Sequence, residues 1–215
     1  MVNVLEIPNQ FDLSGYNDSD KYVARRYSQG GRQVFDIDLS LEQIANLVTQ
    51  PNPDEPTEGN RKIVLRHAQG FSKYLRTRSD LVIPPVILRA PEGVFIFEKQ
   101  SRVSGTDWGF IQIPRLARND INIIDGQHRI LGVHLSLQEI AKELSNARSA
   151  TATAKKEGNS AVIKTTENEI SELIQLRKRI SEERISIQIV IVDDAQEYKQ
   201  IFVDIAENAK GITQA

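Results

Sequence analysis

The chain has 215 residues, 40% of them hydrophobic and 26% charged, which is the profile of a water-soluble globular domain, read here as cytoplasmic. Acids outnumber bases 29 to 27, so net charge gives no warrant for a polyanion partner, and the absence of cysteine excludes disulfides, thiolate metal sites and a cysteine nucleophile. No apolar run approaches the ~20 residues that span a bilayer, and the start, Met1-Val2-Asn3-Val4-Leu5-Glu6, carries no secretory signal pattern.

Residues 1–32 read as an irregular arm, dense in turn formers such as Gly15, Asn17, Asp18 and the Gly30-Gly31 pair. The domain proper is expected from residue 33 to 215. Gln33 to Leu39 alternates polar and apolar, a half-buried strand. Ser40 is placed to N-cap a short helix with Leu41, Ile44, Ala45 and Val48 on one face, and Pro51, Pro53 and Pro56 end it in a loop. A helix is predicted over 61–78. Val64, Ala68, Phe71 and Leu75 form its inward stripe, and Lys62, Arg66, Lys73 and Arg76 line the opposite, acid-free face. Such a face is either simply solvated or a surface that tracks nucleic-acid phosphates.

Strands are predicted over 85–89, 94–98 and 108–113, with Pro91-Glu92-Gly93 as a hairpin turn between the first two. Trp108 could stack on a base, but its strand reads as core. A short strand over 120–124 runs into Asp125-Gly126-Gln127-His128-Arg129, and helical spacing resumes at Ile130, Leu131, His134 and Leu135. Residues 146–166 are poor in large apolar groups and read as a mobile or poorly packed connection. A charged helix follows (Ile170, Leu173, Ile174, Ile180), then a strand over 185–192 near the sheet centre, then a helix capped at Asp193-Asp194 and carrying Tyr198, Phe202 and Ile205. The end at Ala215, without a closing element, reads as a truncation.

The polar pentad sits where chemistry concentrates. A glycine between strand and helix lets backbone approach a ligand. A helix start offers unpaired N–H groups and a positive dipole end, which suits phosphate. Gln127, His128 and Arg129 add donors there, and Asp125 suits a helix cap or a metal-bound water. The competing reading is a plain Asp-Gly turn with Asp125 as the cap. No pair among His67, His128 and His134 has the i, i+4 spacing of a zinc site, so no protein-held metal is expected.

Asp125-Gly126-Gln127-His128-Arg129 resembles the signature of the DGQHR-domain proteins, which include the DndB regulators of DNA phosphorothioate modification. The surroundings fit that family: a proline-marked strand at Ile83–Leu88 and a late helix whose Phe202–Lys210 pattern includes Asp204 and Asn208. The chain has Ala206 where the family more often has Asn. The turn is also similar to the nucleotide-binding turn of the ParB and sulfiredoxin fold group, with Gln127 in place of the sulfiredoxin cysteine, which removes sulfinic-acid repair.

The resemblance implies an α/β (α+β) fold with a small mixed sheet flanked by helices, and a nucleoside triphosphate, with or without Mg2+, held by Gly126, Gln127, His128 and Arg129. It implies DNA as a partner and leaves open a homo-oligomer. Nucleotide hydrolysis, with Asp125 and His128 as catalytic groups, and a non-enzymatic interaction domain are the alternatives it leaves standing.

Overall fold

The computed structural model describes residues 19–55 and 62–208. Its centre is a seven-stranded sheet in the order β4-β5-β1-β2-β7-β3-β6. In chain order the strands are β1 (Ser19–Gln29), β2 (Arg32–Ser40), β3 (Val86–Ala90), β4 (Ile96–Val103), β5 (Thr106–Pro114), β6 (Asn122–Asp125) and β7 (Arg184–Ile191). Every pairing is antiparallel except β3 on β7. The fold is therefore mixed α/β, a largely antiparallel sheet flanked by helices, as the sequence leads one to expect.

Four helices cover one face: α1 (Leu41–Leu47), α2 (Leu65–Thr77), α3 (Gln127–Glu157) and α4 (Ser160–Glu182). Period-two alternation aims Phe35, Ile37 and Leu39 of β2 and Ile185, Ile187 and Ile189 of β7 into the main core beneath them. The intervening Val34 and Val190 point the other way and meet Tyr198 of α5 (Ala195–Asn208), which covers only part of the opposite face. β7 has neighbours on both sides, which explains its unbroken apolar end. Ser40 caps α1 in a full capping box with Gln43, and Asp194 accepts the backbone N–H groups of Gln196 and Glu197 at the start of α5.

Four sequence expectations need correction. Residues 19–29 are not irregular: they form β1, joined to β2 through Gly30 and Gly31, both at positive φ. The glycine pair is hairpin chemistry, and the exposed apolar Val23 and the part-buried charge of Arg26 conceal the alternation of β1. Residues 1–18 of the expected arm, and Pro56 to Arg61 of the proline loop, lie outside the described residues.

The Pro91–Gly93 turn joins no hairpin. β3 pairs with β7 and β6, while β4 pairs with β5 at the far edge of the sheet.

Residues 146–166 are not a loose connection either. They belong to α3 and α4, which meet at Gly158, whose positive φ ends α3. Small residues pack there because the two helices approach closely: Ala147, Thr151, Ala154 and Thr166 are buried, and the Thr151 hydroxyl donates to that of Thr166 at 2.7 Å.

Finally, the helix expected over 61–78 begins at Leu65, with Val64 as N-cap and 45% exposed rather than inward.

Candidate functional site

The pentad lies at the junction of β6 and α3. Asp125 closes β6, opposite Ile87 of β3, and Gly126 is the N-cap residue of α3. Gly126 is buried with φ +105°, a conformation that favours glycine, and a Cβ there would stand 2.7 Å from Val86 Cγ2 and 3.1 Å from Arg129 Nη2. The lack of a side chain is thus demanded first by the protein's own packing. Asp125 is not the cap: its carboxylate accepts from Arg129 Nη2 at 2.8 Å. The same Nη2 donates to the Pro85 carbonyl at 3.0 Å, while Nε is buried with no hydrogen-bond partner among the described residues. Arg129 is 22% exposed and Asp125 50% exposed, so the pair fixes the arginine while its acid stays in solvent.

His128 looks toward α2. Its Nε2 accepts the backbone N–H of Val64 at 2.9 Å, which places the proton of the neutral ring on Nδ1. The exposed His67 ring stands edge-on to it, centroids 5.3 Å apart. Burial, then the charges of His67 and Arg129, hold the His128 pKa below the usual imidazole value, and Asp125 opposes them.

These contacts set α2 and α3 side by side and parallel. Val64 and His67 meet His128, a Cβ on Gly132 would strike Ala68 O and the Phe71 ring, and Arg76 donates to Glu139 at 2.9 Å and Glu143 at 2.6 Å. The N-terminal ends of both helices therefore arrive together at the pentad, with no acid in the first turn of either. Two positive dipole ends in one place repel each other and favour an anion between them. Gly132 and the Val64 backbone are site features the sequence reading missed. A glycine inside an otherwise helical pattern is the signal that pointed to the first.

The cationic face of α2 divides. Arg66 and Lys73 are exposed, and no ion pair links either to an acid among the described residues. Lys62 precedes the helix, exposed and close in sequence to the converging helix starts. Arg76 departs from the expected acid-free face, because α3 brings two carboxylates to it. Asp204 is exposed on α5 and accepts from Gln200 at 2.7 Å, and the Asn208 side chain lies outside the described residues. His134 is packed, with Nε2 3.3 Å from the Val48 carbonyl oxygen, and burial lowers its pKa.

Among the described residues no group of three or more His, Cys, Asp or Glu is arranged to hold a metal ion, and no helix is long and apolar enough to cross a membrane. Searches of curated proteins and of solved structures gave no match. A family model described as DndB, DNA-sulfur modification-associated, matches residues 22–215. That span takes in the whole described sheet from Tyr22 onward, the pentad and α2 with its paired helix α3, so the chain belongs to the DndB family of DNA-sulfur modification-associated proteins.

Proposed function

We propose that this protein is a nucleotide-responsive, DNA-associated regulator within DNA phosphorothioate modification, and that the 125–129 turn holds the phosphates of a nucleoside triphosphate. The family membership supports the link to DNA sulfur modification. The observation that carries the nucleotide reading is the convergence of the α2 and α3 N-termini on Gly126, beside an arginine whose Nε has no hydrogen-bond partner among the described residues. A phosphate there would accept from α3 backbone N–H groups and from Arg129, and would relieve the repulsion between two parallel helix dipoles. Gln127 opens the helix at the same place. His128 acts through Val64, positioning the start of α2, rather than by touching phosphate.

Asp125 is the acidic residue of the turn. With its Oδ2 on Arg129, its other oxygen is the group that would meet Mg2+-bound water when a metal arrives with the triphosphate. Hydrolysis is therefore the second reading, with Asp125 as its acid–base group and exposure of that carboxylate as the observation in its favour. On the DNA side, Arg66 and Lys73, with Lys62 near the turn, are the cations placed to meet a duplex backbone.

Calorimetric titration of the protein with ATP, GTP and CTP, repeated with duplex DNA present, tests the first reading, and phosphate release under the same conditions tests the second. Binding of one triphosphate without phosphate release supports a sensor. Binding with DNA-stimulated release supports an NTPase. Absence of binding to all three, with and without DNA, contradicts both.

A further inference from the structure

The sheet opens between β1 and β2. Their ladder runs from Gln29↔Arg32 to Ala24↔Ile37, and beyond that point β1 continues on β5 as far as Ser19 while β2 continues on β7 as far as Ser40. Antiparallel strands that part in this way leave hydrogen-bonding backbone edges facing one another across a gap. A cleft of about 420 Å³ fills the fork, within the range of small-ligand sites. Lys21, Asp38, Arg184 and Ser186 line it, and Trp108 forms a wall.

Trp108 is 40% exposed, not part of the core as its strand pattern had implied. It stands on the sheet face away from α1–α4, opposite Arg25 in register, and the Arg25 guanidinium lies 5.7 Å from its ring centroid. Two residues along the same strand, and on the same face, Phe110 lies under the Lys21 ammonium at 4.8 Å. Alternate residues of a strand stand about 7 Å apart. The face thus offers two aromatic rings in series, each with a cation against it, and each cation is also paired with an acid, Lys21 with Glu98 at 2.6 Å and Arg25 with Asp36 at 2.7 Å. Val23, between Lys21 and Arg25, is 63% exposed and adds apolar floor.

We propose that this face binds single-stranded nucleic acid, with one unpaired base entering the β1–β2 fork against Trp108. A flat ring wall, facing backbone edges and the exposed carboxylate of Asp38 match the flat π-face and the donor–acceptor edge of a base. At the rim, Arg184, which has no carboxylate partner among the described residues, and Lys21, by exchanging its partner Glu98, match its phosphates. The second ring at Phe110 favours a polynucleotide over a free nucleotide, since it provides for the neighbouring base. An apolar peptide fits poorly in a cleft lined by two carboxylates, Asp36 and Asp38, and three cations, Lys21, Arg25 and Arg184. The proposal is independent of the triphosphate turn, which is separated from the fork by β7 and β3.

Trp108 is the single tryptophan of the chain, so its fluorescence reports on this face alone. Titration with a mixed-sequence ten-nucleotide single-stranded DNA is expected to quench it, whereas the duplex of that sequence and free dAMP leave it unchanged at the same concentrations. By fluorescence anisotropy of labelled DNA, Trp108→Ala is expected to lose about five- to hundredfold in affinity, the range for removing one base-stacking ring. Trp108→Phe should retain most of the affinity, and Arg129→Ala all of it, which separates failure here from failure at the turn. Quenching absent at saturating oligonucleotide, quenching by dAMP or duplex at equal affinity, or unaltered affinity in Trp108→Ala in a protein with wild-type circular dichroism would each overturn the proposal.

Discussion

The imidazole of His128, the second residue of α3, accepts the backbone N–H of Val64, the N-cap residue of α2, at 2.9 Å. Only the neutral ring accepts at Nε2, so protonation breaks this tie between the two helix starts. Burial and the nearby charges lower the folded-state pKa of His128, and burial lowers that of His134. A lowered histidine pKa means the unfolded chain takes up the proton first, so stability is full above the usual imidazole value of about 6.5 and is lost as pH falls through it. The melting temperature should decline from pH 7.5 to pH 5. In His128→Asn, which can still accept from Val64 but does not titrate, the decline should be smaller. An identical slope in the variant would remove His128 from this role.

Gly126 gives a second expectation. Alanine there incurs backbone strain of about 1–3 kcal/mol at φ +105°, and its Cβ displaces Val86 or Arg129. Urea denaturation of Gly126→Ala should show a loss of at least that size. A change below about 0.5 kcal/mol, the ordinary scatter of surface substitutions, would show that the turn adopts another backbone.

The basic residues of α2 should separate by experiment. Arg66→Glu combined with Lys73→Glu is expected to weaken binding of duplex DNA to all sequences alike. If each contacts one phosphate, it should reduce the slope of log affinity against log salt by about 2. Arg76→Ala should instead cost about 1 kcal/mol of stability, because Arg76 bridges to Glu139 and Glu143, with the salt slope kept. A salt slope unaltered in the double variant would leave that face simply solvated.

Much of the fold is written locally in the chain. β2, the Ser40 cap, β7 and the strand-to-helix pentad announce themselves through alternation, capping residues and an abrupt change of period. What escapes local reading is what depends on partners distant in sequence. β1 hides because its alternation is broken on both faces, by apolar Val23 at 63% exposure and by the part-buried charge of Arg26 against Phe97. The α3–α4 hairpin hides because helices that pack closely use Ala and Thr, residues whose scarcity of apolar area looks like disorder. Arg76 looks free until α3 lies beside it, and Trp108 looks buried until the sheet order leaves its face uncovered. At the site itself, the residue types were legible in the pentad. Their division of labour was not, since Val64, Pro85 and Val86 supply the contacts that assign each one.

Asp125 and Arg129 can be uncoupled. Asp125→Asn removes the charge that holds the arginine at 2.8 Å, so the turn should bind inorganic phosphate and triphosphate more tightly by several-fold while any hydrolysis falls. Weaker phosphate binding in this variant, measured by calorimetry, would show that the acid serves the ligand through a metal rather than competing with it.

Arg129→Ala removes a charged donor worth roughly 1.5–3 kcal/mol, or about ten- to hundredfold in triphosphate affinity. The most direct measurement is the backbone amide spectrum of isotope-labelled protein during titration with the triphosphate that calorimetry selects. The expected result is that the largest shifts fall on Gly126, Gln127, His128 and Arg129 and on Val64 across from them, and that Arg129→Ala abolishes them at the same ligand concentration. Shifts that centre elsewhere, or that persist undiminished in Arg129→Ala, would contradict the assignment of the phosphate site to this turn.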